Sequence, residues 1–425
     1  RYARPAPRPR GAGAQVWPRP EPQAAAGVVR RVPRVVELDP LPVPPESGTA
    51  FAGLRFLIVD DGCGIALELG DLLERHGAQV RTPPDVDGPC DGLVHLAALR
   101  PGAASVLPPA FGAIRQALAG GLRWLVLASG AGGTFGHRFD GGVGDPAPGA
   151  GLRGLARTIA REHPEVLVRA LDVDTKDTPR ALAQRIMAEL LTADAPVVIG
   201  HEGGLRYGLE LVPSGPPGGA PLNLARDAVV LLTGGERGMT ARLALELART
   251  SGCHIELMGR TPEREIRVDA LLEHAASVRY HAGDVRDPRA VRDVVENIYL
   301  THRRLDGMIH GAALAEPRPG GGTTPGSFED VYLTKVAGAC ALAQAAGPDL
   351  GFFAVLSGAD GERGGAGAAA ANDACGTLAH VWRRRLRGRV LVAETLLGPD
   401  AGAPALLREI THGDEPHVVL TGEVR

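Results

Sequence analysis

Short apolar runs alternate with stretches of helical spacing along most of this chain. From residue 53, "RFLIVDDG" reads as a buried strand, and "IALELGDLLERHG" (65–77) keeps apolar positions at helical spacing until Gly77 stops it. "GLVHLAAL" and "RWLVLASG" suit parallel strands covered on both faces. "LRGLARTIAREHP" (152–164) predicts a helix ended by Pro164, and "VLVRALDVD" and "APVVIGHEGGLRYGLELVP" complete this half. A Pro/Gly stretch at 213–223 then breaks the pattern. A second series starts at 227. Its strands are "AVVLLTGG", "HIELMGR", "SVRYHAGDVRD", "LDGMIHGAAL", "GFFAVLSG" and "VLVAETLLG". Its helices include "GMTARLALELART", with Met239, Leu243 and Leu247 on one face, "SFEDVYLTKVAGACALAQAA" and "AAAANDACGTLAHVWRRRL". Alternation of this kind predicts an α/β fold of two Rossmann-like subdomains with parallel sheets.

Residues 1–33 lack periodicity, and their Arg, Pro and Ala content predicts a linker, with Trp17 as a candidate anchor on a neighbouring surface. A short strand is expected at 34–42. The expected organisation is therefore a linker at 1–33, a structural subdomain at 34–222 and a nucleotide-binding subdomain at 223–425.

Composition narrows the function. With 425 residues, 44% hydrophobic and 22% charged, the chain has the balance of a soluble protein of two or three domains. A net charge of −3 argues against nucleic acid and against an anionic membrane surface. No apolar run approaches the ~20 residues that span a bilayer. Five cysteines without a CxxC pair suit a reducing, cytoplasmic setting and no zinc knuckle. The chain begins without Met or a signal-peptide pattern, as a piece of a longer protein would. Only two of its 46 basic residues are lysines, Lys176 and Lys335. Each is the more notable for that.

The chemistry sits after residue 228. "VVLLTGGERGMTA" joins a strand to a helix through Gly234, Gly235 and Gly238, the pattern that lets a pyrophosphate approach a helix N-terminus. Thr233 and Arg237 belong to the same candidate cofactor loop. The next strand ends at Arg260, 26 residues after Gly234, where an Arg suits the 2′-phosphate of NADP. The bland alternative is a solvated Arg in an Arg-rich chain. Asp284 and Val285 end the third strand, where an Asp could accept a hydrogen bond from adenine. Gly311 and Ala312 end the fourth, where small side chains admit the cofactor.

On these residues, and on "LMGRTP", "YHAGDVRD", "LDGMIHGAA", "KVAGA" and "AAAAN", residues 223–400 resemble the catalytic half of a ketoreductase domain from a type I polyketide synthase. That family has a short-chain dehydrogenase/reductase fold. Residues 34–222 are similar to its structural half, a truncated Rossmann fold without cofactor, through "VELDPLP", "LRGLARTIAREHPEVLVRALDVD" and "GLRYGLELVP". "TGGxRGxTA" is most similar to iterative synthases of the polyunsaturated-fatty-acid and enediyne type. The resemblance implies NADPH as cofactor, a β-ketoacyl thioester on an acyl carrier protein as substrate, and other domains of the same synthase as partners.

It also implies a catalytic Tyr, Ser, Lys and Asn. Ser357, Lys335 and Asn372 match, but Ala368 stands where the family has its proton-donating Tyr. The five tyrosines are Tyr2, Tyr207, Tyr280, Tyr299 and Tyr332, so none follows position 332. The eleven-residue interval from Ser357 to Ala368 is shorter than the family's, its sequence "GADGERGGAGA" predicts mobility, and the region after "TLLGPD" predicts a trimmed substrate lid. Glu236 lies inside the phosphate loop; facing the pyrophosphate it would weaken binding, and facing solvent beside Arg237 it would not.

"FLIVDDG" (56–62) superficially resembles the acidic pair of a receiver domain, but its acids suit a helix cap better. His163, His201 and His310 are too scattered for a metal site. Three readings remain open: a silent ketoreductase domain serving as structure, a working NADPH-dependent reductase whose proton comes from Ser357 or water, and a cofactor-binding module without turnover.

Overall fold

The computed structural model describes residues 27–423, apart from 84, 85, 87, 139–146, 263, 264, 267, 315–322, 348 and 359–364. Most of the expected linker and the middle of the "GADGERGGAGA" stretch therefore lie outside the described residues. In the first half, β1 (Val28–Leu38), β2 (Arg55–Val59), α1 (Ile65–Arg75), β3 (Gln79–Arg81), β4 (Gly92–His95), α2 (Phe111–Ala119), β5 (Trp124–Ser129) and α3 (Leu152–Glu162) are followed by β6 (Leu167–Val173), α4 (Pro179–Leu191), β7 (Val198–Glu202) and β8 (Leu205–Pro213). The second half runs β9 (Val229–Thr233), α5 (Gly238–Ser251), β10 (His254–Gly259), α6 (Asp269–Leu272), β11 (Ser277–Ala282), α7 (Pro288–His302) and β12 (Gly307–His310). It ends with α8 (Pro325–Ala345), β13 (Phe352–Gly358), α9 (Ala366–Arg385), β14 (Arg389–Thr395), α10 (Pro399–His412) and β15 (His417–Gly422).

The two parallel arms share one sheet of 15 strands, in the order β11-β10-β9-β12-β13-β14-β15-β1-β8-β7-β6-β5-β4-β2-β3. β1 is the seam. It pairs antiparallel with β15 from Val28↔Gly422 to Arg31↔Val419, and with β8 from Arg31↔Pro213 to Leu38↔Arg206. This strand begins at Val28, not at the expected Arg34, so residues 28–33 leave the linker. Their Arg-rich sequence hid a strand because the charge is neutralised inside: buried Arg30 meets Glu409 at 2.7 Å and donates to Ser214 Oγ at 2.8 Å.

β9 and β12 are buried at every position, as parallel strands between two helix layers must be. On one face an apolar core runs under both arms, from Leu93 and Leu125 to Phe353 and Val392. On the other face each arm has its own core, around Ile58 and Val126 in the first and Val230 and Leu232 in the second. The halves lock through α3 and α9. A Cβ on Gly154 would strike the Ala369 carbonyl, so the helices touch backbone to backbone. Beside that contact, buried Arg153 pairs with Asp373 at 2.9 Å. Phe111 of α2 also stacks on Phe328 of α8 at 4.0 Å.

Candidate active site

β9 and β2 each lead through a turn into a helix, but the two helix N-termini differ. At α1 the Asp61 carboxylate accepts from the backbone N–H groups of Cys63, Ile65 and Ala66, which fills the anion position with the chain's own charge. Of the expected capping pair, Asp61 thus caps the helix, while the Asp60 carboxylate accepts from the Gly62 N–H at 3.1 Å, in the turn before it. At α5 the N-cap residue Arg237 supplies no side-chain cap. Gly234, Glu236, Arg237 and Thr240 there line a cleft of about 700 Å³, together with Arg260, Asp284, Val285, Gly311, Ala312, Lys335 and Ser357.

The glycines have separate tasks. Gly234 sits at φ +71°, and a Cβ on it would come within 2.8 Å of the Ala312 Cα, so the loop turns directly against the end of β12. Gly311 leaves no room for a side chain beside Thr240. Gly235 does not line the cleft; it packs under Leu257. Gly238, at φ +62°, starts α5. Thr233 lies buried behind the cleft.

At the strand ends, Arg260 is exposed. The Asp284 carboxylate is already engaged by Arg286 at 2.8 Å, and Arg286 also meets Asp330 at 2.8 Å. That guanidinium holds Asp284 below the usual carboxylate range, with Arg260 adding to the effect. Glu236 takes neither of its expected courses. Its carboxylate accepts from Thr261 Oγ1 at 2.6 Å and lies 2.9 Å from the Tyr280 hydroxyl.

The other end of the cleft holds the family-matched polar residues. Lys335 Nζ donates to Ser357 Oγ at 3.1 Å and to Asn372 Oδ1 at 3.0 Å, and Asn372 Nδ2 donates to the Gly358 carbonyl at 2.7 Å. All three side chains are buried. Ala368 lies one helical turn before Asn372 on α9, so the two share a helix face. Among the described residues no tyrosine lines the cleft. Tyr332, one turn from Lys335 on α8, points away and donates to the Ala150 carbonyl at 3.0 Å, and burial pushes its phenol well up.

One functional contact escaped the sequence reading. Buried His310 joins the two ends of the cleft: its Nε2 donates to the Lys335 carbonyl at 3.0 Å, so its Nδ1 accepts from Thr233 Oγ1 at 2.7 Å. Burial, helped by the Lys335 charge, pushes this imidazole down to about 4, which keeps it neutral. Only the HGAA run hinted at it. His163 and His201 are far from this link: the first meets Glu165 at 3.2 Å, the second Glu189 at 3.1 Å.

A family model, the KR domain, matches residues 228–394. A PKS-NRPS hybrid synthetase of Aspergillus candidus is 33% identical over 275 residues, covering 61% of this chain and 11% of that protein. The polyketide synthase GfsA of Streptomyces halstedii is 30% identical over 222 residues, covering 50% of this chain and 3% of that protein. The chain thus spans only a small part of these relatives. Among solved structures, a ketoreductase from the first module of phoslactomycin biosynthesis in Streptomyces sp. HK803 superposes with a TM-score of 0.72 at 20% identity, over 94% of both chains. A-type ketoreductases from a modular polyketide synthase give 0.73 at 22% identity, over 93% of both. The glycine loop, the strand ends and buried Lys335 thus lie inside residues 228–394, the segment that matches the KR domain, and the chain as a whole has the fold of ketoreductases from polyketide synthases.

Proposed function

We propose that this is a ketoreductase domain of an iterative synthase whose ancestral reaction reduces a β-ketoacyl thioester on an acyl carrier protein with NADPH, and that this copy is reductively impaired and serves its cytoplasmic synthase as structure. A division near residues 213–223 into a structural and a cofactor half belongs to the same proposal. The cradle formed by Gly234, Gly311 and the uncapped start of α5 fits a dinucleotide pyrophosphate. Such a cofactor, when bound, supplies hydride.

The chain's own residues do the rest only in part. Because Lys335 donates to Ser357 Oγ, the serine proton is free to turn into the cleft toward a carbonyl oxygen. Asn372 fixes the lysine from the other side. The observation that carries the proposal is the methyl group of Ala368 on the face it shares with Asn372. A methyl cannot deliver the proton, and loss of a positioned general acid costs typically ~10²–10⁴-fold in rate.

The test is to titrate the protein with NADPH by fluorescence and then add a β-ketoacyl thioester. Binding without oxidation of NADPH supports impairment. Steady oxidation would show that a donor other than residue 368 serves, with Ser357 or water as the first suspects. The open cleft favours a second reading, a cofactor-binding module without turnover; failure to bind either NADPH or NADH would exclude it and leave scaffolding alone.

A further inference from the structure

Resting on the reading of the cleft as a dinucleotide site, we propose that Glu236 chooses the dinucleotide: it selects one whose adenosine ribose carries a free 2′-hydroxyl over one carrying a 2′-phosphate.

In a doubly wound sheet the adenosine ribose lies at the C-terminal end of the second strand of the nucleotide-binding unit. An acid at that point accepts the 2′-hydroxyl, and an Arg accommodates the 2′-phosphate. That strand is β10, which ends at Gly259 and is followed by Arg260 and Thr261. By sequence position the Arg holds the place. In space a carboxylate reaches it as well, that of Glu236, delivered from the glycine loop 24 residues before Arg260. A Cβ on Gly259 would collide with Glu236 Oε1, so the carboxylate lies flat against the strand end.

Two neighbours hold it there. Thr261 Oγ1 donates to Oε2 at 2.6 Å. The Tyr280 hydroxyl, from β11 at the level of Leu257, is shared between Oε1 at 2.9 Å and the Thr261 carbonyl at 2.7 Å. Hydroxyls that could have met a phosphate are thus already bound to the chain's own anion. Glu236 is half-buried and fixed. Arg260 is exposed, and its charge also acts on Asp284. A 2′-phosphate would therefore bring a second anion against an anchored carboxylate, a repulsion that grows with both charges. A ribose hydroxyl would instead donate to one of the remaining lone pairs of Glu236.

The experiment is direct binding of NADH and NADPH to the 425-residue chain, by fluorescence and calorimetry, in the wild type, Glu236→Gln and Thr261→Val. The wild type is expected to bind NADH at least about tenfold tighter than NADPH. Glu236→Gln keeps an acceptor for Thr261 but removes the charge, and should tighten NADPH by about tenfold or more while changing NADH less than about threefold. Thr261→Val, which unpins the carboxylate, should narrow the ratio with Glu236 still present. An unchanged thermal midpoint verifies folding of each variant. A wild type that binds NADPH as tightly as NADH, or a ratio untouched by Glu236→Gln, overturns the assignment and leaves the dinucleotide site standing. Failure of both cofactors to bind wild type and variant alike overturns the dinucleotide reading itself, and this inference with it.

Discussion

Asp373 is one place where the two halves depend on each other. Its carboxylate meets Arg153 Nε at 2.9 Å, and the two side chains are only 8% and 9% exposed. Arg153 also donates to Thr377 Oγ1 and lies over the Phe135 ring at 5.5 Å. A second cation is close: the charge of Asp373 also supports Arg157, which is exposed. Asp373→Ala therefore leaves the buried Arg153 guanidinium short of an anion. Breaking a buried pair by removing one partner typically costs about 3–5 kcal/mol. Thr377 and the Phe135 ring still serve Arg153, so the lower end, about 3 kcal/mol, is the expected loss. Replacing both partners with apolar residues, Arg153→Met with Asp373→Leu, should cost less than Asp373→Ala alone, because no charge is left stranded.

The assay is urea unfolding followed by far-UV circular dichroism and by tryptophan fluorescence. Trp124 reports the first half and Trp382, on α9, the second. In the wild type both probes should move together, since one core face is continuous under both arms. In Asp373→Ala the midpoint should fall for both. A loss below about 1 kcal/mol, or a double replacement worse than the single one, would refute the claim that charge neutralisation at α3–α9 joins the halves.

Other predictions concern the cleft and the response to acid. Gly234→Ala forces a side chain to φ +71° and into the Ala312 backbone, so it should cost about 1–3 kcal/mol in urea unfolding and abolish dinucleotide binding in a titration. His310→Leu orphans the Thr233 hydroxyl, at about 1–3 kcal/mol, and removes a second hydrogen bond from the Lys335 carbonyl inside α8, so it should weaken dinucleotide binding by shifting α8. Burial pushes His137 and His310 down to about 4 and His380 down to about 2. The unfolded chain then binds more protons than the folded one below the ordinary histidine range, so stability should fall as pH drops from 6.5 toward 4. His254, also pushed down by burial, adds to this, while Asp172, which burial raises to about 6, and Glu409, also raised by burial, oppose it. The urea midpoint should fall less steeply in His137→Gln/His380→Gln, whose rings pack at 4.4 Å in the wild type; an unchanged slope would reject this attribution.

Much of the fold was legible because parallel strands covered on both faces leave continuous apolar runs such as Val229–Thr233, and because helices between them must repeat near every third or fourth residue. The joining of the arms was not. β1 meets β15 across nearly the whole chain, and antiparallel pairing at that separation leaves no local pattern. Arg30 read as linker composition, since its partner Glu409 is remote. At the site, positions set by backbone were predictable: Gly234, Arg260, Asp284 and Gly311 all reach the cleft. Orientations set by tertiary partners were not. Glu236 is turned by Tyr280, and the Asp284 carboxylate is taken by Arg286 after folding brings its side chain round. His310 acts through Thr233 and a backbone carbonyl, neither of which a motif encodes.

The survival of Lys335, Ser357 and Asn372 beside Ala368 has a physical explanation that needs no turnover. Lys335 is 6% exposed, and an ammonium so deeply placed requires acceptors. Ser357 Oγ and Asn372 Oδ1 are two of them. Removing either leaves the charge less well paired, at a cost of about 1–3 kcal/mol for the lost partner. Asn372 is further bound to the Gly358 carbonyl, so it also ties α9 to the end of β13. None of these hydrogen bonds passes through residue 368. A tyrosine there could be lost without stranding a buried group, whereas the other three hold one another in place. The fold thus penalises loss of the lysine network and leaves residue 368 outside it. Measured separately, Lys335→Met and Asn372→Ala should lower the urea midpoint, while Ala368→Ser should leave it unchanged. A midpoint as sensitive to residue 368 as to residue 335 would mean that Ala368 belongs to the structural network, and that its methyl group was kept for packing.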